Sequence, residues 1–245
     1  MSKMMIARAS TVERQPLNSG GDRTIAERAF RAVHEAIVNG QFAPGHRLRI
    51  EELAERFQIS PTPIREALHR LEAVGLVEHI PHRGARVTDL SLEDLRDLYD
   101  VRLRLEPLAI RKAAERFTPE IAAAARRHLD AIEAAERRKD FAEAWKAHTR
   151  FHFTLYAASG SPWLVRLITP LWESSQRYRL RLMPLRRDLK RRTQDHEQIL
   201  QACVAHNPKA ASTELRQHLV STANRIAIEM RSPALFEVSR TREES

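Results

Sequence analysis

Apolar residues recur at three- and four-residue spacing along most of the chain, the period of a helix with one buried face. Phe30, Val33 and Ile37 predict a helix that Asn39-Gly40 ends, and Pro44-Gly45 turns the chain toward a short helix with Leu53, Ala54 and Phe57 inward. In residues 60–77, SPTPIREALHRLEAVGLV, a third apolar face is formed by Ile64, Ala67, Leu68, Leu71 and Val74. Ser60 is placed as an N-cap whose hydroxyl satisfies first-turn amides. Pro61 suits the first helical position, and Gly75 is a C-terminal stop. Two short apolar-rich runs follow, 76–80 and 85–87, bridged by the turn Pro81-His82-Arg83-Gly84.

Beyond residue 88 the pattern is helical throughout. Ser91 with Asp94, Thr118-Pro119, Asp140 with Glu143, Ser161-Pro162 and Asn207-Pro208 each mark a helix start, which predicts six or seven helices. Pro107 and Pro170 fall inside apolar-periodic stretches and are expected to kink or divide them. The predicted fold is mainly α: a flexible leader (1–22), a winged helix-turn-helix (23–88), an all-helical bundle (89–232) and a polar tail (233–245).

Composition narrows the function. The 245 residues are 42% hydrophobic, enough for packed cores. No stretch reaches the roughly 20 apolar residues that cross a bilayer, and the first residues lack a signal peptide's apolar core, so a cytoplasmic protein without membrane contact is expected. The single cysteine, Cys203, has no disulfide partner and lies in a helical pattern where a small buried side chain fits. The net charge of +9 suits a polyanionic partner. Yet residues 1–88 hold 13 Lys/Arg against 10 Asp/Glu, so charge alone does not locate the binding end. The densest basic run, Arg177 to Arg192, is expected to be a solvated helical face with a charged loop.

A helix with an exposed polar face running directly into a two-stranded wing points to duplex DNA. The succession of segments then resembles the GntR transcription regulators, and the order of head and bundle resembles their FadR subfamily with an FCD effector domain. The resemblance rests on APGHRLRIEELAERF, ISPTPIREALHRLEAVGLV with PHRGARV, DLYDVRLRLEPLA, RFHFTLYAASGSPWL, and DHEQILQACVAHNPKAA with ELRQHL, in that order. It implies a homodimer that binds a two-fold-related operator and responds to a small metabolite, often a carboxylic acid, in the helical domain. Relatives commonly carry arginine where this chain has Pro61, whereas Arg65 matches the second recognition arginine, and His82, Arg83 and Gly84 match the wing tip.

An arginine on an exposed helix can hydrogen-bond guanine O6 and N7 together, so Arg65 is the first choice for base readout, with Thr62 or His69 assisting. Arg47, Arg49, Ser60, Thr62 and Arg70 are placed at phosphates, which fix docking without specifying sequence. The alternative for Arg65 or Arg70 is pairing with Glu66 or another carboxylate on a solvated surface.

His148 and His152 are four apart, on one helical face and within reach of one ion. His196 and His218 lie on later helices. The resemblance implies a metal set of an Asp and a His four residues apart followed by two more His; here His152, His196 and His218 match, and His148 stands where the Asp is expected. Imidazole in place of a carboxylate favours Zn, with Ni as the second choice, over Mn or Mg. Arg102 matches a family arginine facing the ligand cavity, where a guanidinium can hold an effector carboxylate; the alternative is a buried salt bridge with Glu106. Two rival readings are a metal-dependent hydrolase, though HEQIL at His196 lacks the second His of HExxH, and a helical scaffold whose basic run binds RNA or membrane.

Overall fold

A computed structural model describes residues 24–38, 40–80, 84–182 and 189–237, the side chains of 180–193 apart. The predicted leader, His82, Arg83 and residues 238–245 of the tail lie outside them. Among the described residues the chain forms α1 (Ile25–Val38), β1 (Arg47–Leu48), α2 (Ile50–Phe57), α3 (Pro61–Ala73), β2 (Val77–Ile80) and β3 (Gly84–Val87), followed by the helices α4 (Leu92–Glu115), α5 (Pro119–Arg137), α6 (Phe141–Ala157), α7 (Pro162–Leu182), α8 (Leu189–Val204) and α9 (Pro208–Glu229). Among the described residues the bundle thus has six helices.

The first group closes around its own apolar cluster. Val33 and Ile37 of α1, Leu53 of α2 and Ile64, Ala67, Leu68 and Leu71 of α3 meet Leu48, Leu76, Val77, Ala85 and Val87. Val74, assigned to the apolar face, is only partly buried because the helix has ended. Gly75 takes φ +71, its N–H reaches Glu72 O and the Leu76 N–H reaches Leu71 O, a Schellman stop that needs a left-handed residue. The sheet is antiparallel in the order β1-β3-β2. The third strand, β1, was not predicted; two residues are too few to show alternation. Gly84 opens β3 at φ +90, where a Cβ would stand 2.6 Å from Leu48 O, so glycine lets β1 and β3 approach.

The cap at the start of α3 differs from expectation. Ser60 has extended N-cap backbone, but its hydroxyl makes no cap hydrogen bond. An N-cap oxygen normally accepts from the second or third helical N–H, and Pro63 removes the third. The bundle caps form as predicted: Ser91 accepts from Asp94 N, Thr118 from Ile121 N, Asp140 from Glu143 N, Ser161 from Leu164 N and Asn207 from Ala210 N.

Neither internal proline divides its helix. Pro107 lacks the N–H that would bind Leu103 O, and that carbonyl instead accepts from Arg216 of α9 at 3.4 Å. Pro170 lies within a continuous α7. The bundle core gathers Tyr99, Phe151, Tyr156, Trp172 and Tyr178 with aliphatic residues of all six helices. Cys203 is buried there, and burial pushes its thiol up to about 12, in keeping with a packing role. The start of the predicted polar tail is tied down: the Asn224 side chain bonds the backbones of Leu235 and Phe236, whose side chains pack on the core.

Helix α7 also joins the two parts. Ser174 Oγ donates to Val74 O at the end of α3 at 2.9 Å, and Glu173 lies 3.9 Å from His34 of α1. One turn on, Arg177 bonds Asp94 at 2.6 Å and the Tyr178 hydroxyl contacts Asp94 and the Ser91 backbone at the start of α4.

Candidate functional site

Two sites emerge, one on each part. The first is a groove of about 520 Å³ between α3 and the wing sheet, lined by Arg47, Arg49, Glu51, Arg65, His69, Glu72, His79, Gly84 and Ala85 among others. Residues from β1, α3 and β3 that are distant in sequence meet here because the sheet folds back beside α3. Arg47, Arg65 and His69 are exposed. Arg49 is paired with Glu52 at 2.8 Å, and His69 stands 3.6 Å from Glu72 and stacks with His79. Such exposed pairs are worth under about 1 kcal/mol and yield readily to a stronger anion. Ser60 and Thr62 are exposed at the N-terminus of α3, where unsatisfied amides and the helix dipole favour phosphate.

Arg70 does not join the groove. It bonds Glu27 of α1 at 3.0 Å and lies over the Phe30 ring, its guanidinium 4.0 Å from the centroid, so it fastens α3 to α1. This is the carboxylate pairing the sequence left open, realised for Arg70 and not with Glu66.

The second site is buried. His148 and His152 on α6, His196 on α8 and His218 on α9 each offer a ring nitrogen, all within 4.8 Å of one another. Nε2 of His196 is 3.1 Å from Nε2 of both His148 and His152. Nitrogens around a tetrahedral zinc at about 2.0–2.1 Å lie roughly 3.3 Å apart, so the two 3.1 Å separations at His196 are compatible with a shared ion, as they are with a hydrogen bond between the rings. Burial, then the neighbouring histidines and Arg179, hold His148 and His152 well below the usual imidazole range; His218 is lowered by burial against the opposing effect of Asp195. Neutral imidazoles are the form that binds metal. Four buried ring donors gathered in an aromatic core therefore fit a borderline divalent ion.

The surroundings are aromatic. Trp172 stacks on His148 at 5.5 Å and tilts over His152 at 4.9 Å, Trp145 lies 5.0 Å from His148, and Phe151 meets His152 and His196 edge-on. Two arginines enter this setting. Arg179 stands over the Trp145 and Trp172 rings, buried, as is Arg177. The start of the basic run is therefore core and not the solvated face expected, because α7 turns these side chains onto aromatic rings and Asp94. The rest of that run lies outside the described side chains.

Arg102 is fully buried and bonds Glu106 through Nε at 2.5 Å and Nη2 at 3.3 Å, the salt bridge that was the alternative reading. Burial depresses the guanidinium, but Glu106 outweighs this and holds it above its ordinary range. Among the described residues its Nη1 has no hydrogen-bond partner, and neither do the buried Tyr99 hydroxyl and Trp172 indole N–H, whose rings lie within 5.3 Å of the Arg102 guanidinium. Tyr156 completes the set: its hydroxyl donates to Glu106 at 2.6 Å and contacts His152 Nδ1 at 3.2 Å. Burial and Glu106 push that phenol well above its usual range. Trp145, Tyr156, Trp172 and Arg179 were absent from the sequence-based site. Helical spacing offered a partial signal, since Trp145 precedes His148 by three and Tyr156 follows His152 by four.

Comparison with known proteins agrees with this layout. The profile of bacterial regulatory proteins of the gntR family matches residues 25–87, and that of the FCD domain residues 97–221. The HTH-type transcriptional repressor GlaR of Escherichia coli (strain K12) is 31% identical over 201 residues, covering 78% of this chain and 91% of that protein. The HTH-type transcriptional regulator LutR of Bacillus subtilis (strain 168) is 31% identical over 207 residues, covering 76% and 93%. In fold, the solved structure of E. coli McbR/YncC superposes with a TM-score of 0.74 at 24% identity, covering 85% of this chain and 98% of that one. The relatives are regulators and not enzymes, which removes the hydrolase reading. No helix among the described residues is long and apolar enough to cross a membrane. A winged helix-turn-helix with its exposed arginine groove, carried by an FCD bundle, makes this chain a member of the GntR family of transcriptional regulators.

Proposed function

We propose that the protein binds a palindromic operator as a homodimer and adjusts that binding to a small carboxylate held beside a metal in the helical domain. The observation that carries the DNA reading is the groove between α3 and the wing, where exposed Arg65 lies among Arg47, Arg49, His69 and Gly84. Arg65 reads a guanine edge, with Thr62 and His69 beside it, while Arg47, Arg49, Ser60 and the wing residues His82 and Arg83 bind phosphate. Two such heads related by two-fold symmetry require half-sites on one face of the duplex, which is why a palindrome is expected.

Zinc is the metal that an all-imidazole set suits best, nickel the second, with His148, His152, His196 and His218 as its ligands. Held by these four histidines, a bound ion would supply a Lewis-acidic position for an effector oxygen by taking a further ligand. Arg102 Nη1, with the Tyr99 and Trp172 donors, supplies hydrogen bonds to the same anion; a buried donor left unmade costs about 1–3 kcal/mol, which an anionic acceptor recovers. An effector that makes these contacts unequally in two dimer states shifts their populations by that difference.

Selection from a randomised duplex pool, followed by titration of the enriched site, tests the reading. Enrichment of a two-fold-symmetric sequence that Arg65→Ala no longer discriminates is expected; no enriched sequence overturns it. Elemental analysis of dialysed protein tests the metal, one transition-metal ion per chain being expected and none, with no uptake from added zinc, refuting it.

A further inference from the structure

Deepening the metal reading just given, we propose that Arg102, Glu106 and Tyr156 form a one-way hydrogen-bond chain that fixes His152 as its Nδ1–H tautomer and so presents the Nε2 lone pair to the ion. Tyr156 is then a positioning residue for His152.

The polarity of the chain follows from proton counting. A guanidinium only donates, and Arg102 gives Glu106 two N–H groups, at 2.5 and 3.3 Å, with both side chains fully buried. In these contacts the Glu106 carboxylate oxygens accept. The Tyr156 hydroxyl has one proton, and at 2.6 Å from Glu106 Oε2 it lies in the range of a charge-assisted O–H···O⁻ bond. That proton is committed. The second contact of the same oxygen, 3.2 Å to His152 Nδ1, is at N–H···O length, and with no proton left to give the oxygen can only accept there. The hydrogen must sit on Nδ1.

Nε2 of His152 then carries a lone pair, and it is this atom that lies 3.1 Å from His196 Nε2 inside the cluster. The opposite tautomer would set two lone pairs against each other at Tyr156. Helix geometry makes the chain possible. Arg102 and Glu106 are four apart on α4, His152 and Tyr156 four apart on α6, and the two pairs face each other across the bundle. A partner on the far ring nitrogen of a metal-binding histidine fixes its orientation and raises its basicity, and losing such a partner weakens metal binding about 10–100-fold.

Long-range 1H–15N spectra of the histidine-labelled apoprotein read the tautomer directly, without any variant. His152 is expected to show a protonated Nδ1 and an unprotonated Nε2; a protonated Nε2 overturns the proposal. Tyr156→Phe keeps the ring and removes the hydroxyl, and its helix content and melting profile are followed in parallel. In this variant the Nδ1–H signature is expected to give way to a mixture, and zinc affinity, measured by competition with a chromophoric chelator, to fall about 10–100-fold. An unchanged tautomer and zinc affinity in Tyr156→Phe would leave the residue a core aromatic and nothing more. Wild-type protein that shows the Nδ1–H form yet takes up no zinc upholds the hydrogen-bond chain and refutes the metal reading, so the two failures are distinct.

Discussion

The α3–wing groove and the histidine cluster are both rich in cationic and imidazole side chains, but one lies in water and the other in the core. In the groove Arg65 and His69 stand clear of the apolar cluster that folds the head, and the ion pairs there are exposed and exchangeable. In the cluster and beside it Arg102, Glu106, His152, His196 and His218 are themselves nearly or fully buried and sit within the packing of Trp172 and Phe151. Stability and recognition are therefore separable in the head. In the bundle they are not, since each polar group removed leaves another uncompensated in low dielectric.

The sharpest break of that contrast comes from the bundle. Arg102→Met strands the Glu106 carboxylate, and a loss of about 3–5 kcal/mol in denaturant unfolding is expected. Adding Glu106→Leu to it should restore much of the midpoint, since two apolar groups need no partner; a double variant as unstable as the single would refute charge stranding. Next is Gly84→Ala in the head, a groove residue whose backbone is structural. Its positive φ and the approach of Leu48 O predict a loss of about 1–3 kcal/mol, read as a lower melting temperature of the head.

Arg65→Ala should cost about 1–3 kcal/mol of discrimination at its base pair with the unfolding midpoint unchanged. A shifted midpoint would mean the groove is not separable from the fold after all. The smallest effect is expected at the junction: Ser174→Ala removes the bond to Val74 O, and about 0.5–1.5 kcal/mol is expected from the unfolding free energy.

Several features were legible because they are local. Each of the five predicted bundle caps is a side chain bonding an amide three residues on, and the pair His148/His152 is one helical turn. The unfilled cap of Ser60 was equally legible, since Pro63 is in the sequence. Features that depend on a second element were not. The two-residue strand β1 exists only because β3 offers it a ladder, and the Asn224 clasp on Leu235 and Phe236 joins segments with no shared period. Arg177 and Arg179 look like solvated cations in a basic run. Trp145, Trp172 and Asp94, brought up by other helices or by another turn of α7, make them interior.

By itself the sequence determined the helices, their starts, the arginine-bearing helix before the wing, and the family, because 3.6-residue periodicity, capping and ordered motifs act within a few residues of each other. Only the tertiary structure decided that Arg102 is paired with Glu106, that Tyr156 links that pair to His152, and that four histidines from three helices share one small space. Those facts depend on which helix faces act as neighbours, and a hydrogen bond made across a bundle leaves no periodic trace in the chain that forms it.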